Sequence, residues 1–274
     1  MIELLLTRLA RSRELGQIIV ATSTDPRNQI LVNHVRKLGY ACEQGSESDV
    51  MARYLQAART HGADVIVRIT GDCPLVDPVL VDDAVRHFKA EGVDYFSNIK
   101  PPSYPDGLDI EVFYMAALEK AALETQSTYD HEHVTPYLRE SGRFSQAAMQ
   151  AEEDFSALRW TVDEQADLDV VAKVFAHFAP DIHFGWRQIL TLQQEQPELF
   201  AANHQLIRNE GASMGTGQKL WKRAKQVIPG GNMLLSKRAE MFLPEQWPAY
   251  FSKAKGCEVW DLDGNRYIDM SIMG

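Results

Sequence analysis

Apolar and polar positions along the chain fall into two alternating patterns. Residues 2–13 place Ile2, Leu5, Leu6 and Leu9 at helical spacing, which predicts an amphipathic helix. Gln17 to Ala21 (QIIVA) is a short apolar run, read as a buried strand. A helix follows to about Leu38, closed by Gly39, then a weak strand over Tyr40 to Glu43 and a helix over Val50 to Thr60. Val65 to Ile69 (VIVRI) is β-branched with little polarity, as expected of a strand buried on both faces. It breaks into Thr70-Gly71-Asp72 and a turn marked by Pro74 and Pro78, which opens a helix over about 79–91. Strands separated by helices predict an α/β fold with a three-layer, mostly parallel sheet.

The second half of the pattern is less regular. Strands are predicted over Val93 to Ser97 and, after a proline-rich loop, over Leu108 to Phe113. The latter alternates like an edge or hairpin strand, with Asp109 and Glu111 on one face. A helix over 114–125, a short helix near Pro136, strands over 144–150 and 157–162, and helices over 165–178 and 187–196 follow. Small polar residues without periodicity mark 203–217 as a linker. This divides the chain into 1–202, a linker, and 218–274. The last block holds a helix to Val227 and a hairpin around Asp263-Gly264. With few apolar positions, it reads as a small, incomplete α+β segment. Both ends read as cut: the first helix has no residue to cap it, and Ser271 to Gly274 lies in an apolar segment just begun.

Composition narrows the function classes. A net charge of −10 argues against nucleic acid as the partner. The three cysteines are scattered, which excludes a C-x-x-C zinc or redox pair and fits a reducing, cytoplasmic setting. No apolar run reaches the length of a membrane span.

The candidate chemistry sits at strand ends. Asp72 follows one strand and Asp163 another. If those strands are neighbours, both carboxylates meet at one rim, a plausible Mg²⁺ site completed by substrate phosphates. The structural alternative makes each aspartate a helix or turn cap. Thr22 and Ser23 could donate to a ligand or serve as capping hydroxyls. His131 and His133 are two apart, the wrong spacing for a helical zinc pair. That leaves His133 with a substrate-contacting or structural role. Asp106, Asp109 and Glu111 could meet substrate hydroxyls or line a solvated turn.

Six stretches together carry a family resemblance: IIVATSTDPRN, GSESDVMARY, VRITGDCPLVDP, YPDGLDIEVF, HEHVTPYLRE and LRWTVDEQADLDVV. Over residues 1–200 the chain resembles cytidylyltransferases of the spore-coat-polysaccharide type, relatives of acylneuraminate and deoxy-octulosonate cytidylyltransferases. The resemblance implies a nucleotide-diphospho-sugar-transferase-like fold. It also implies transfer of CMP from CTP to a sugar or sugar acid, with Mg²⁺, in a homodimer. Asp72 and Asp163 then match the metal-holding aspartates, and Gly45, Asp49 and Arg53, with Thr22, Ser23 and Gly71, fall on the nucleotide side. Asp106 and Asp109, with Glu111 and His133, fall on the sugar side. The family begins with a strand and a basic, glycine-containing loop around the triphosphate, and this chain starts after them. Weak CTP binding and little turnover are therefore expected of it. Residues 215–274 resemble the start of class III pyridoxal-phosphate aminotransferases such as glutamate-1-semialdehyde aminomutase. Pyridoxal phosphate would belong only to the remainder of that domain. Two other readings remain: a fusion whose main activity is transamination, and a non-catalytic dimerisation module.

Overall fold

The computed structural model describes residues 1–204, Leu206, 215–231, 238–241 and 247–268. Most of the expected linker, residues 205 and 207–214, and the terminal 269–274 lie outside them. The chain divides into two compact units, Met1–Leu206 and Ile207–Gly274.

In the first unit the elements run α1 (Ile2–Leu9), β1 (Ile19–Ser23), α2 (Gln29–Lys37), β2 (Ala41–Gly45), α3 (Val50–Thr60), β3 (Val65–Arg68), α4 (Pro78–Glu91) and β4 (Tyr95–Ser97). Then come β5 (Glu111–Tyr114), α5 (Met115–Glu124), α6 (Thr128–His133), α7 (Pro136–Glu140), β6 (Gln146–Ala148), α8 (Gln165–Phe178) and α9 (Trp186–Glu195). The α/β alternation was legible because each helix has an apolar stripe and most have a local stop or start signal. Asp77 caps α4 by accepting from Val79 N at 2.8 Å, and Gly92 ends it with φ +62°.

Alternate residues along each strand go to opposite cores. Val65, Val67, Phe96 and Val112 join the core built with α1, α4, α8 and α9, whereas Ile66, Tyr95 and Phe113 join the one built with α3, α5 and α7. That alternation makes the expected three layers.

The sheet departs from the expected, mostly parallel order. β1 and β2 are a parallel pair on their own, and the other strands run β3-β5-β4-β6. β5 is antiparallel to both β3 and β4, and β6 is parallel to β4. The stretch expected as an edge or hairpin strand is therefore central, and Glu111, Val112 and Phe113 are buried. Its alternation predicted a strand but carried no information about neighbours. The strand expected over 157–162 is reduced to one bridge, Asp106 with Arg159. The first helix stops at Leu9 rather than residue 13, because Ser12 Oγ, Arg13 N and Glu14 N all turn to donate to the Asp82 carboxylate.

The second unit holds α10 (Thr216–Val227) and an antiparallel sheet of β7 (Phe251–Lys255), β8 (Glu258–Asp261) and β9 (Arg266–Ile268). The expected hairpin forms around Asp261, whose carboxylate accepts from Asp263 N, Asn265 N and the Tyr267 hydroxyl. Gly264 takes φ +84° in the turn.

Candidate active site

The carboxyl ends of β1, β2 and β3 carry the residues that the sequence singled out, the usual ligand edge of an open α/β sheet. Asp72 lies just past β3 and is half-buried. It does not cap α4, since Asp77 does that work, with its second oxygen accepting from Trp186 N at 2.8 Å. Among the described residues the Asp72 carboxylate instead accepts from the Cys73 thiol, at 3.4 Å. Its carbonyl accepts from Val162 N at 2.9 Å and from the Thr161 hydroxyl at 3.3 Å. Asp163 is the next residue, so the two aspartates stand on adjoining stretches of backbone. Asp163 is not the helix cap either. The cap position of α8 is Glu164, and the Asp167 carboxylate accepts from both Asp163 N and Glu164 N. The Asp163 side chain is 55% exposed and accepts from Arg159 Nη2 at 2.7 Å.

Arg159 organises this edge. Its Nε and Nη2 donate to the two oxygens of Asp167, both at 2.9 Å, and its Nη1 reaches Asp106 at 3.3 Å. Asn203 adds a donor to Asp167 at 2.9 Å. Burial works against the Arg159 charge, but the Asp167 and Asp163 carboxylates outweigh it and hold the guanidinium above its ordinary pKa. Asp106 is thereby committed inside the protein, paired with Arg159. Gly107, at φ +104°, lets the loop lie against the backbone of Trp160 and Thr161, where a Cβ would come within 2.6 Å. Asp109 is close enough to add its charge to that of Asp72. Burial first, then those two charges, pushes the Cys73 thiol well above its usual pKa.

Burial alone would raise the Asp167 pKa, but the donors from Arg159, Asn203 and the backbone lower it below the usual carboxylate value. A depressed folded-state pKa contributes stability above the unfolded value, and that stability is lost as pH falls through the folded one. The stability advantage of the wild type over Asp167→Asn is therefore expected to shrink as pH falls below about 4, as denaturant midpoints would report.

On the other side, Thr22 and Ser23 end β1 and are buried. Ser23 Oγ accepts from Asn28 Nδ2 at 2.7 Å and from Asp25 N at 3.3 Å, so this hydroxyl organises the turn. Gly45 ends β2 where a Cβ would meet Arg53 Cγ at 3.0 Å, so the Arg53 stem lies across it. Arg53 Nη1 donates to the Ser46 carbonyl at 2.9 Å. Asp49 caps α3 through Ala52 N at 2.8 Å and also faces His131 Nδ1 at 3.1 Å. His133 packs at a tilt against Tyr129 one turn back, with ring centroids 4.4 Å apart. Gly71 is exposed in the turn before Asp72.

Glu111 is found away from any substrate surface. It is 2% exposed and bonded to Arg68 and, at 2.5 Å, to the Tyr95 hydroxyl, with Arg139 at 3.8 Å. Burial would raise its pKa, but the Arg68 and Arg139 charges keep it lowered. The alternation that placed Glu111 beside Asp109 said nothing about the arginines that claim it. Arg159 and Asp167 are the residues that sequence reading passed over, and of the pair His131 and His133 it kept only His133. The 159/163/167 spacing was the one available signal. Among the described residues, no group of three or more histidines, cysteines or carboxylates is placed to hold a metal by itself.

A family model described as cytidylyltransferase matches residues 1–205. A protein of Methanocaldococcus jannaschii, MJ1063, is 34% identical over 201 residues, spanning 72% of this chain and 81% of its own. The spore coat polysaccharide biosynthesis protein SpsF of Bacillus subtilis is 27% identical over 208 residues, covering 72% and 85%. A solved cytidylyltransferase from Leptospira borgpetersenii superposes with a TM-score of 0.70 at 28% identity, over 73% of this chain and 84% of that one. A separate 57-residue match, 39% identical, is to a glutamate-1-semialdehyde 2,1-aminomutase of Acetivibrio thermocellus, of which it covers only 13%. The first unit thus has the α/β fold expected of nucleotide-diphospho-sugar transferases. With that match over three quarters of its length, the chain belongs to the cytidylyltransferase family of nucleotidyltransferases.

Proposed function

We propose that this edge transfers a cytidylyl group from CTP to a sugar or sugar acid destined for a surface polysaccharide. The observation that carries the reading is the pair Asp72 and Asp163. Neither caps a helix, and the Val162 N to Asp72 O bond of 2.9 Å joins the backbone stretches that carry them. Two carboxylates supply hard oxygen donors, and phosphate oxygens and water complete the shell that Mg²⁺ prefers. Bound there, Mg²⁺ would neutralise charge on the phosphates. Thr22, Gly45, Asp49, Arg53 and Gly71 take the nucleotide side of the site, and Asp109 the sugar side. SpsF, named for polysaccharide biosynthesis, supports the choice of acceptor class.

Calorimetric titration of CTP in the presence of Mg²⁺ tests this reading. Asp72→Asn is expected to weaken Mg²⁺-dependent binding by at least about tenfold, the scale of losing one well-placed polar ligand. Equal binding by wild type and variant would remove Asp72 from the metal site. Pyrophosphate release on adding a sugar acid is the matching activity readout.

The 57-residue aminomutase match supports a second reading for the smaller unit, as the opening of an aminotransferase domain. No lysine here takes the Schiff-base role, so pyridoxal phosphate would be held by other residues of such a domain. Its absorbance in a longer protein carrying both units would be the test.

A further inference from the structure

Asn203 is the first residue of the stretch expected to be linker, yet it lies buried at the end of a 3-10 helix, Pro197–Asn203. A buried side-chain amide needs partners. Its Nδ2 donates to the Arg159 carbonyl at 3.2 Å and to Asp167 Oδ1 at 2.9 Å. Asp167 Oδ1 also accepts from Arg159 Nε. Asn203 thus grips Arg159 twice, directly at its backbone and, through Asp167, at its guanidinium. Asp167 Oδ2 accepts in turn from Arg159 Nη2, Asp163 N and Glu164 N. The two bonds to Asp167 fix the plane of the guanidinium. In that planar fork the second Nη2 proton has one direction left, and it meets Asp163 Oδ2 at 2.7 Å.

Asn203, Asp167 and Arg159 are all buried, whereas Asp163 carries its carboxylate to solvent. Stability alone does not call for such a network, because buried ion pairs are often no more stabilising than apolar groups of the same volume. What a set of mutually satisfied buried bonds supplies is one fixed arrangement. Here its exposed end is the carboxylate that stands near Asp72. Arg159 holds Asp163 Oδ2, and Asp167 holds the Asp163 backbone, so the network sets both the position and the rotation of that carboxylate.

We infer that Asn203 is a positioning residue for Asp163, acting through Asp167 and Arg159, so that the site of the first unit extends to residue 203. That the oriented carboxylate then serves a divalent cation rests on the cytidylyl-transfer reading. The competing account makes Asn203 an anchor for its 3-10 helix alone. Phe200 provides the control: it belongs to the same helix, is buried in the apolar core with α8 and α9, and its side chain has no polar atom.

The test compares the full chain, isotope-labelled at arginine and aspartate, as wild type, Asn203→Ala and Phe200→Leu. NMR reads the rotation of the Arg159 guanidinium about its Nε–Cζ bond and the signal of the Asp163 carboxyl carbon. In Asn203→Ala the rotation is expected to quicken by about fivefold, the scale of one lost hydrogen bond, and the Asp163 signal to move toward that of a free aspartate. Phe200→Leu should leave both as in the wild type. Mn²⁺, standing in for Mg²⁺, is then titrated with CTP present. Its dissociation constant is expected to rise about threefold to tenfold in Asn203→Ala and to stay unchanged in Phe200→Leu. Losing a group bonded directly to a metal ligand costs roughly 10–100-fold, and Asn203 acts through two intermediates. Wild-type NMR behaviour in Asn203→Ala, or the same change in Phe200→Leu, overturns the inference. So does Mn²⁺ affinity that the wild type shows and Asn203→Ala keeps in full. A wild type that binds no Mn²⁺ removes the metal reading of Asp72 and Asp163, and the NMR comparison still decides the role of Asn203.

Discussion

Replacing Arg159 with alanine is expected to cost about 3–5 kcal/mol of stability, the penalty for stranding buried charge. Asp167 is 0% exposed and Asp106 is 6% exposed. Both lose their guanidinium partner at once, and Asp163 loses the bond that orients it. The effect has a signature beyond its size. Arg159 is the foremost of the groups that lower the Asp167 pKa, so its loss moves that pKa upward and makes protonation less costly to the variant than to the wild type. The deficit of the variant should therefore be smaller near pH 4 than at pH 7. Arg159→Lys should recover only part of the loss, because an ammonium cannot make the two parallel bonds to Asp167. Chemical denaturation of the three proteins at both pH values measures this. A variant within about 1 kcal/mol of wild type at neutral pH would show that these contacts do not hold the edge together.

Arg8 is the second position of large expected effect. It is fully buried on the apolar side of α1 and, among the described residues, makes no carboxylate bond. It donates instead to four carbonyls: Leu75 at 3.2 Å, Val76 at 3.2 Å, Ile182 at 2.5 Å and Phe184 at 2.9 Å. The guanidinium also stacks over the Phe184 ring at 4.5 Å. Burial lowers its pKa to about 10, with Asp77 and Asp181 opposing, so it remains charged at neutral pH. Arg8 ties the turn after Asp72 to the segment before α9. Arg8→Ala leaves four buried acceptors to find new donors, at a cost of about 3–5 kcal/mol. Arg8→Met keeps the apolar stem and should recover little, because the packing is not what fails. Thermal unfolding of the two variants separates those causes, and recovery of most of the loss by methionine would overturn the hydrogen-bond account.

Part of the site was legible in residue order. Thr70-Gly71-Asp72 after an apolar run pointed to a strand-end carboxylate and Asp163 to a second before a helix; the strand expected to end at Asp163 is only a bridge, yet the structure sets the two residues on adjoining backbone. What residue order could not reveal was who else wanted each carboxylate. Glu111 and Asp109 look equivalent in an alternating stretch, yet Glu111 lies between Arg68 and Tyr95 while Asp109 lies on the Cys73 side. His131 and His133 look equivalent too, and only the placement of α6 against α3 gives His131 to Asp49. The capping alternative for Asp72 and Asp163 was settled by other residues, Asp77 and Glu164, taking the cap positions.

By itself the sequence determined the local order: where helices and strands begin, the three-layer α/β class, and the motifs that align the chain with cytidylyltransferases. These depend on periodicity, caps and turns, which act over a few residues. The tertiary structure alone decided neighbours: β5 between β3 and β4, and Arg159 among three aspartates. Pairing and ion-pair choice depend on residues tens of positions apart, and a strand's composition states that it wants two neighbours without saying which segment supplies them.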